Sequence, residues 1–209
     1  MFENHIEKAV AVLDNTHNLR EEALKVSRET IRFCANSIRA SHRREFDKAE
    51  ELLREAGSRV RQVKEFLADK PEIYYTGYVL DAQKEYGEAV ITNAIIRDVP
   101  LPGFEEIGIE PSVWLNSLAE AASEARRFAL DELRTGNIES ALRALEIMDE
   151  VYYRLISVDY PDAVTGGLRR HTDQLRGVLE KTRSDITLIK HQQNLSEKLD
   201  KTIRDYSPC

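Results

Sequence analysis

The stretch Tyr78-Val79-Leu80-Asp81-Ala82-Gln83-Lys84-Glu85-Tyr86-Gly87-Glu88-Ala89-Val90-Ile91-Thr92-Asn93-Ala94 decides the fold. On a helical wheel with Glu85 at zero, Tyr75, Tyr78, Ala82, Tyr86, Ala89 and Val90 fill one flank, and Leu80, Ile91 and Ala94 lie on the far side. A helix that is apolar nearly all round belongs inside a protein. Its one narrow polar sector holds Asp81, Glu85 and Glu88, with Gly87 beside them. Gly87 lowers helix propensity and marks a place where another backbone comes close. Carboxylates on an otherwise buried helix need partners, because an unpaired buried charge is expensive.

Outward from this stretch, the hydrophobic period stays helical and the chain divides into about six helical stretches. The first runs from near Asn4 to Ala40, with Leu24, Ile31 and Ile38 repeating on one face. The second spans about Arg44 to Asp69 and is closed off by Pro71. The third spans Glu72 to Arg97. An irregular loop from Asp98 follows, through Pro100-Leu101-Pro102-Gly103, as far as Pro111. The fourth helix opens at Pro111-Ser112, where proline suits a first turn, and stops at Gly136-Asn137. The fifth ends near Ser157. After Pro161 and Gly166-Gly167, the last carries Leu168, Leu175, Leu179, Ile186 and Ile189 and frays toward Cys209. Short connections between long helices predict an all-α, up-and-down antiparallel bundle of about six to seven helices, forming one domain over residues 1–209.

Composition agrees. The 209 residues are 42% hydrophobic and 32% charged, with only 9 Gly and 6 Pro. That is enough for one sizeable core. The net charge of −7 means that the chain as a whole does not attract phosphate backbones, so any nucleic acid must meet a local basic surface. Cys34 and Cys209 show neither metal-ligand spacing nor a disulfide framework, which fits a reducing compartment. No basic segment leads into an apolar run, and no stretch approaches the roughly 20 apolar residues of a membrane span. These features predict a soluble, cytoplasmic protein.

The fourth helix carries a second acidic stripe: Glu120, Glu124, Arg127 and Asp131 follow i, i+4, i+7, i+11 spacing beside an apolar face of Trp114, Leu118, Ala121, Ala125 and Phe128. Two helices that each present a carboxylate pair offer oxygen donors to a hard divalent cation such as Mg2+. Such an ion activates a water and stabilises the leaving oxygen of a phosphodiester. The same spacing also fits a solvated acidic face paired with nearby Lys or Arg. A di-iron carboxylate site needs Glu-x-x-His pairs, which are missing.

On the first helix, Lys25, Arg28, Arg32, Arg39 and Arg43 fall within about 60° of one another, and His42 and Arg44 extend the patch. A row of cations on a rigid element can track a phosphate backbone. The alternative is a solvated face balanced by Glu21, Glu22 and Glu29. His5, His17, His42, His171 and His191 show no metal spacing, and most of them are expected to be exposed. Tyr74-Tyr75 and Tyr152-Tyr153 read as core or interface pairs.

Three segments, in register, resemble one family. Gly108-Ile109-Glu110-Pro111 resembles the Leu-Gly-Ile-Glu-Pro segment of translin. Gln83-Lys84-Glu85-Tyr86-Gly87-Glu88-Ala89 resembles the Leu-Gln-Glu-Tyr-Val-Glu-Ala motif of translin-associated factor X. Ser123-Glu124-Ala125-Arg126-Arg127 resembles a Glu-x-x-Arg segment that both share. The resemblance spans essentially the whole chain and suggests a single-subunit, prokaryotic-type homologue. It implies a helical subunit of a hollow homo-octameric barrel and Mg2+-dependent endoribonuclease activity on RNA held inside, with Mn2+ as an alternative ion. The catalytic, metal-holding acids of factor X fall on Glu85, Glu88, Glu120 and Glu124, with an Asp-to-Glu change at Glu120. Lys25, Arg28, Arg32, Arg39, Arg43 and Arg127 are the expected RNA contacts, for single-stranded or short duplex RNA. The other member type, translin, lacks the acids at Glu85 and Glu88, and implies a non-catalytic oligomer binding RNA or single-stranded DNA. An Arg- and His-rich segment of translin is replaced here by Tyr74-Tyr75-Thr76-Gly77-Tyr78.

Overall fold

The computed structural model describes residues 2–206, with side chains through 204. Among them are nine helices and no strand: α1 (Phe2–His42), α2 (Phe46–Phe66), α3 (Pro71–Tyr74), α4 (Gly77–Arg97), α5 (Phe104–Ile107), α6 (Pro111–Arg134), α7 (Ile138–Leu155), α8 (Asp162–Thr165) and α9 (Leu168–Tyr206). The six long helices are those expected from the hydrophobic period. Cys209, to which the last was expected to fray, lies outside the described residues.

The short helices are the departures. The expected third helix is split. Thr76 is extended, and its hydroxyl donates to the Ile73 carbonyl at 2.6 Å, competing with the helical ladder. Pro71, expected only as a breaker, also opens α3. In the Pro-rich loop, the Glu106 carboxylate accepts from the Gly103 N–H at 2.6 Å and holds the turn of α5.

The chain forms two compact units, Met1–Leu118 with Val164–Gly166, and Ala119–Ala163 with Gly167–Cys209. In the first, α1 packs along α2 and α4, and α2 also meets α4. One apolar cluster joins Ala23, Val26, Val63, Leu67, Ile73, Tyr74 and Val79. Another joins Cys34, Ala56, Val60, Tyr86, Ala89, Ile109 and Val113. Buried polar groups pin these helices: Asn93 Nδ2 donates to Ser41 Oγ at 2.8 Å, and Ser37 Oγ donates to the Ala49 carbonyl at 3.0 Å. Left unpaired, such groups would each cost about 1–3 kcal/mol. In the second unit, α7 packs along α9, with Met148, Val151, Leu155, Leu175, Leu179 and Ile186 buried. Arg126 of α6 donates to Asp185 at 2.7 Å and to Thr182 at 3.1 Å on α9.

No described helix is long and apolar enough to cross a membrane. Phe2, Ile6, Val10 and Leu13 stand exposed along the start of α1, and Leu195, Leu199 and Ile203 along the end of α9.

Candidate metal centre and nucleic-acid interface

Helix α4 is buried along most of its length, as its sequence demands. Its fixed point is Gly87. A Cβ there would collide with Ser117 and would sit 2.9 Å from Ile109 Cδ1. Only glycine allows this approach of α6 to α4. Ser117 Oγ lies 2.8 Å from the Lys84 carbonyl and 3.0 Å from that of Val113. The loop is tied to α4 as well: the Glu110 N–H donates to Gln83 Oε1 at 3.2 Å, and the Tyr74 hydroxyl donates to Glu110 Oε1 at 2.9 Å. Trp114 Nε1 donates to the Pro102 carbonyl at 3.0 Å.

This scaffold sets the position of the acids. Glu85 and Glu88 flank Gly87 and are half-buried, and α6 continues unbroken from Ser117 to Glu120 one turn on. Glu85 and Glu88 bring carboxylate oxygens within 4.8 Å of each other. Glu120 is half-buried on α6, and Glu124, one turn on, lies 3.5 Å from Arg127. Asp81 is exposed. His171 is half-buried, with Nε2 3.3 Å from Glu120 Oε1. The sequence reading missed this pair, which joins α6 to α9 and leaves no local spacing signal. His5, His17 and His191 are exposed as expected, and His42 is half-buried.

The donor set fits a hard cation. Glu85 and Glu88 are both carboxylates, the ligand type Mg2+ selects. The nearby soft donor is kept out of play: burial, then the charges of Glu85 and Glu88, push the Cys34 thiol far above its ordinary range. It therefore stays protonated at neutral pH, and only a thiolate is a good metal ligand.

The basic stripe is placed differently. Lys25, Arg28, Arg32, Arg39 and Arg43 are all exposed. At about 100° per residue they centre on the side of α1 opposite its buried face of Ala23, Ser27, Thr30, Cys34 and Ser37. Among the described residues, none of the five cations is held in an ion pair. Two of the acids named as the alternative balance, Glu29 and Glu21, are engaged elsewhere, Glu29 with Arg59 at 3.6 Å and Glu21 with Arg20 at 2.5 Å. Arg127, on α6, is exposed. Arg44 sits in the turn after α1 with φ 61°.

No family model matches the chain. Over 189 residues it is 34% identical to an uncharacterized protein of Methanocaldococcus jannaschii, covering 90% of this chain and 83% of that protein. Two solved structures of AfC3PO, one of them in complex with duplex RNA, match at 34% identity with a TM-score of 0.82. They cover 90% of this chain and 97% and 98% of theirs. Apo-NeC3PO, at 22% identity and a TM-score of 0.81 over 90% of this chain and 98% of its own, shares the fold.

Proposed function

We propose that this chain, which belongs to the translin and translin-associated factor X family, is a Mg2+-dependent endoribonuclease that works as a homo-oligomer around its RNA. The observation that carries the reading is the pair Glu85 and Glu88, half-buried carboxylates within 4.8 Å of each other. Like-charged groups this close repel, and a divalent cation removes that strain. The complex of AfC3PO with duplex RNA supports RNA as the ligand.

Glu85, Glu88 and Glu120 would hold the ion, with Glu124 acting through water from one turn further along. When bound, the ion supplies charge neutralisation at the scissile phosphate and a water of lowered pKa. The remaining work falls to the chain. Gly87 and Ser117 fix the helices that carry the acids, so that their geometry does not have to form on binding. His171 orients the Glu120 carboxylate. The α1 cations attract the RNA backbone. Because they face away from the α1 side that packs on α4, stripe and acids of one chain do not form one continuous surface. Assembly of several copies resolves this, and the exposed apolar residues at the start of α1, at Tyr153 and Ile156 of α7, and along the end of α9 supply contact surface. A closed octamer in the cytoplasm is the form we expect.

The second reading is a non-catalytic oligomer binding RNA or single-stranded DNA, favoured by the exposed cationic stripe alone. Incubating the purified chain with single-stranded and duplex RNA, in Mg2+ and in chelator, separates the two. Cleavage in Mg2+ that chelator abolishes supports the nuclease. Binding without cleavage in Mg2+ or Mn2+ supports the second reading.

A further inference from the structure

Helix α2 carries a feature that the RNA reading does not use. Glu50, Arg54, Gly57 and Arg61 follow i, i+4, i+7, i+11 spacing and share one face. That face, with Tyr86 and Val90 of α4, lines an open pocket of about 340 Å3. The volume is at the lower end of the range for small-molecule sites, about 300–1,000 Å3.

The pocket exists because of Gly57. A Cβ there would sit 2.6 Å from the Tyr86 hydroxyl oxygen, so any larger residue would force that phenol out of place. Glycine inside a helix costs about 1 kcal/mol relative to alanine, and here it leaves room for the phenol at the base of the pocket. Tyr86 is buried, and its phenol hydroxyl is a hydrogen-bond donor.

The charges are arranged for an anion. Arg54 and Arg61 are exposed, and among the described residues neither is held in an ion pair. The one acid on the wall, Glu50, is engaged by Arg97. Two uncompensated guanidiniums on a concave surface are unusual in a chain of net charge −7. Guanidinium forks match phosphate oxygens in shape as well as charge. Leu53, Gly57 and Val90 give the remainder of the pocket an apolar wall suited to a flat ring.

We propose that this α2–α4 pocket binds a nucleoside monophosphate, with Arg54, Arg61 and the Tyr86 hydroxyl on the phosphate and Leu53 and Val90 against the base. Neither Glu85 nor Glu88 lines the pocket, and its occupancy does not depend on RNA cleavage.

The test is calorimetric titration of the full chain with adenosine monophosphate, adenosine and inorganic phosphate. One adenosine monophosphate should bind per chain, with each half-ligand weaker by at least about tenfold. Arg54→Gln combined with Arg61→Gln should weaken it by at least about tenfold, and Arg134→Gln, which removes an exposed cation elsewhere, should leave it unchanged. Should the double variant lose helicity, protection of wild-type Arg61 from phenylglyoxal by adenosine monophosphate, read by mass spectrometry, decides instead. Absence of saturable binding, equal binding of phosphate alone, an equal loss in Arg134→Gln, or unprotected Arg61 would overturn the proposal.

Discussion

Glu85 and Arg32 lie on helices that pack against each other, α4 and α1, and they meet different surroundings. Glu85 is half-buried, held beside a glycine that admits no side chain, and shares its space with Glu88 and a protonated thiol. Arg32 stands in solvent on a rotatable stem, its guanidinium 5.9 Å from the Phe33 ring. Rigid, partly desolvated carboxylates suit a task that needs fixed geometry, such as holding an ion. Exposed cations suit attraction that tolerates many registers of a phosphate backbone. Acids in a fixed cluster should therefore govern the chemical step, and the stripe should govern affinity.

The sharpest way to break this division is charge reversal of the stripe. Arg28→Glu, Arg32→Glu and Arg39→Glu together should lower RNA affinity by about a thousandfold and flatten its salt dependence, with helicity intact. Fluorescence anisotropy across a salt series measures both. Unchanged affinity would move the RNA interface off α1. The acidic region should respond instead in stability. Gly87→Ala drives a methyl into Ser117 and Ile109, and should cost about 1–3 kcal/mol in urea unfolding, whereas the three stripe substitutions should cost far less.

Alkali offers a smaller probe of the same region. The folded state keeps the Cys34 thiol protonated, while the unfolded chain ionises it at its ordinary value of 9.0. Stability is thus fully present below that pH and falls as pH rises above it, by about 1.4 kcal/mol per pH unit from this group. Buried Tyr74 and Tyr86, also raised, add to the fall at higher pH. Urea midpoints at successive alkaline pH values should show a shallower decline for Cys34→Ala than for the wild type. Smallest of all is the effect of Glu120→Asp, which shortens the arm by one methylene and leaves a carboxylate. Cleavage should stay within about tenfold of wild type, with the His171 contact weakened.

Much of this arrangement was legible in the sequence because helices write their faces locally. The polar sector of Glu85 and Glu88, the meaning of Gly87, and the cations of α1 all follow from wheel positions. What the wheel could not supply were pairings between distant segments. Glu120 meets His171, and Glu29 pairs with Arg59 of α2, only after folding. The break at Thr76 escaped because a hydroxyl took a carbonyl that the apolar period had assigned to the ladder. Tyr86 reads as plain core on a wheel of α4, and its place at the base of the α2 pocket shows only when Gly57 is set against it.

The central claim is that the α4 acids act in cleavage and not in binding, and Glu85→Gln tests it most directly. The substitution removes one negative charge at nearly constant volume and relieves repulsion with Glu88, so folding should not suffer. Cleavage and anisotropy measured on the same labelled RNA in Mg2+ should show the rate falling by at least about a hundredfold, with affinity equal to wild type or higher. Cleavage at the wild-type rate by a folded Glu85→Gln protein would contradict the account.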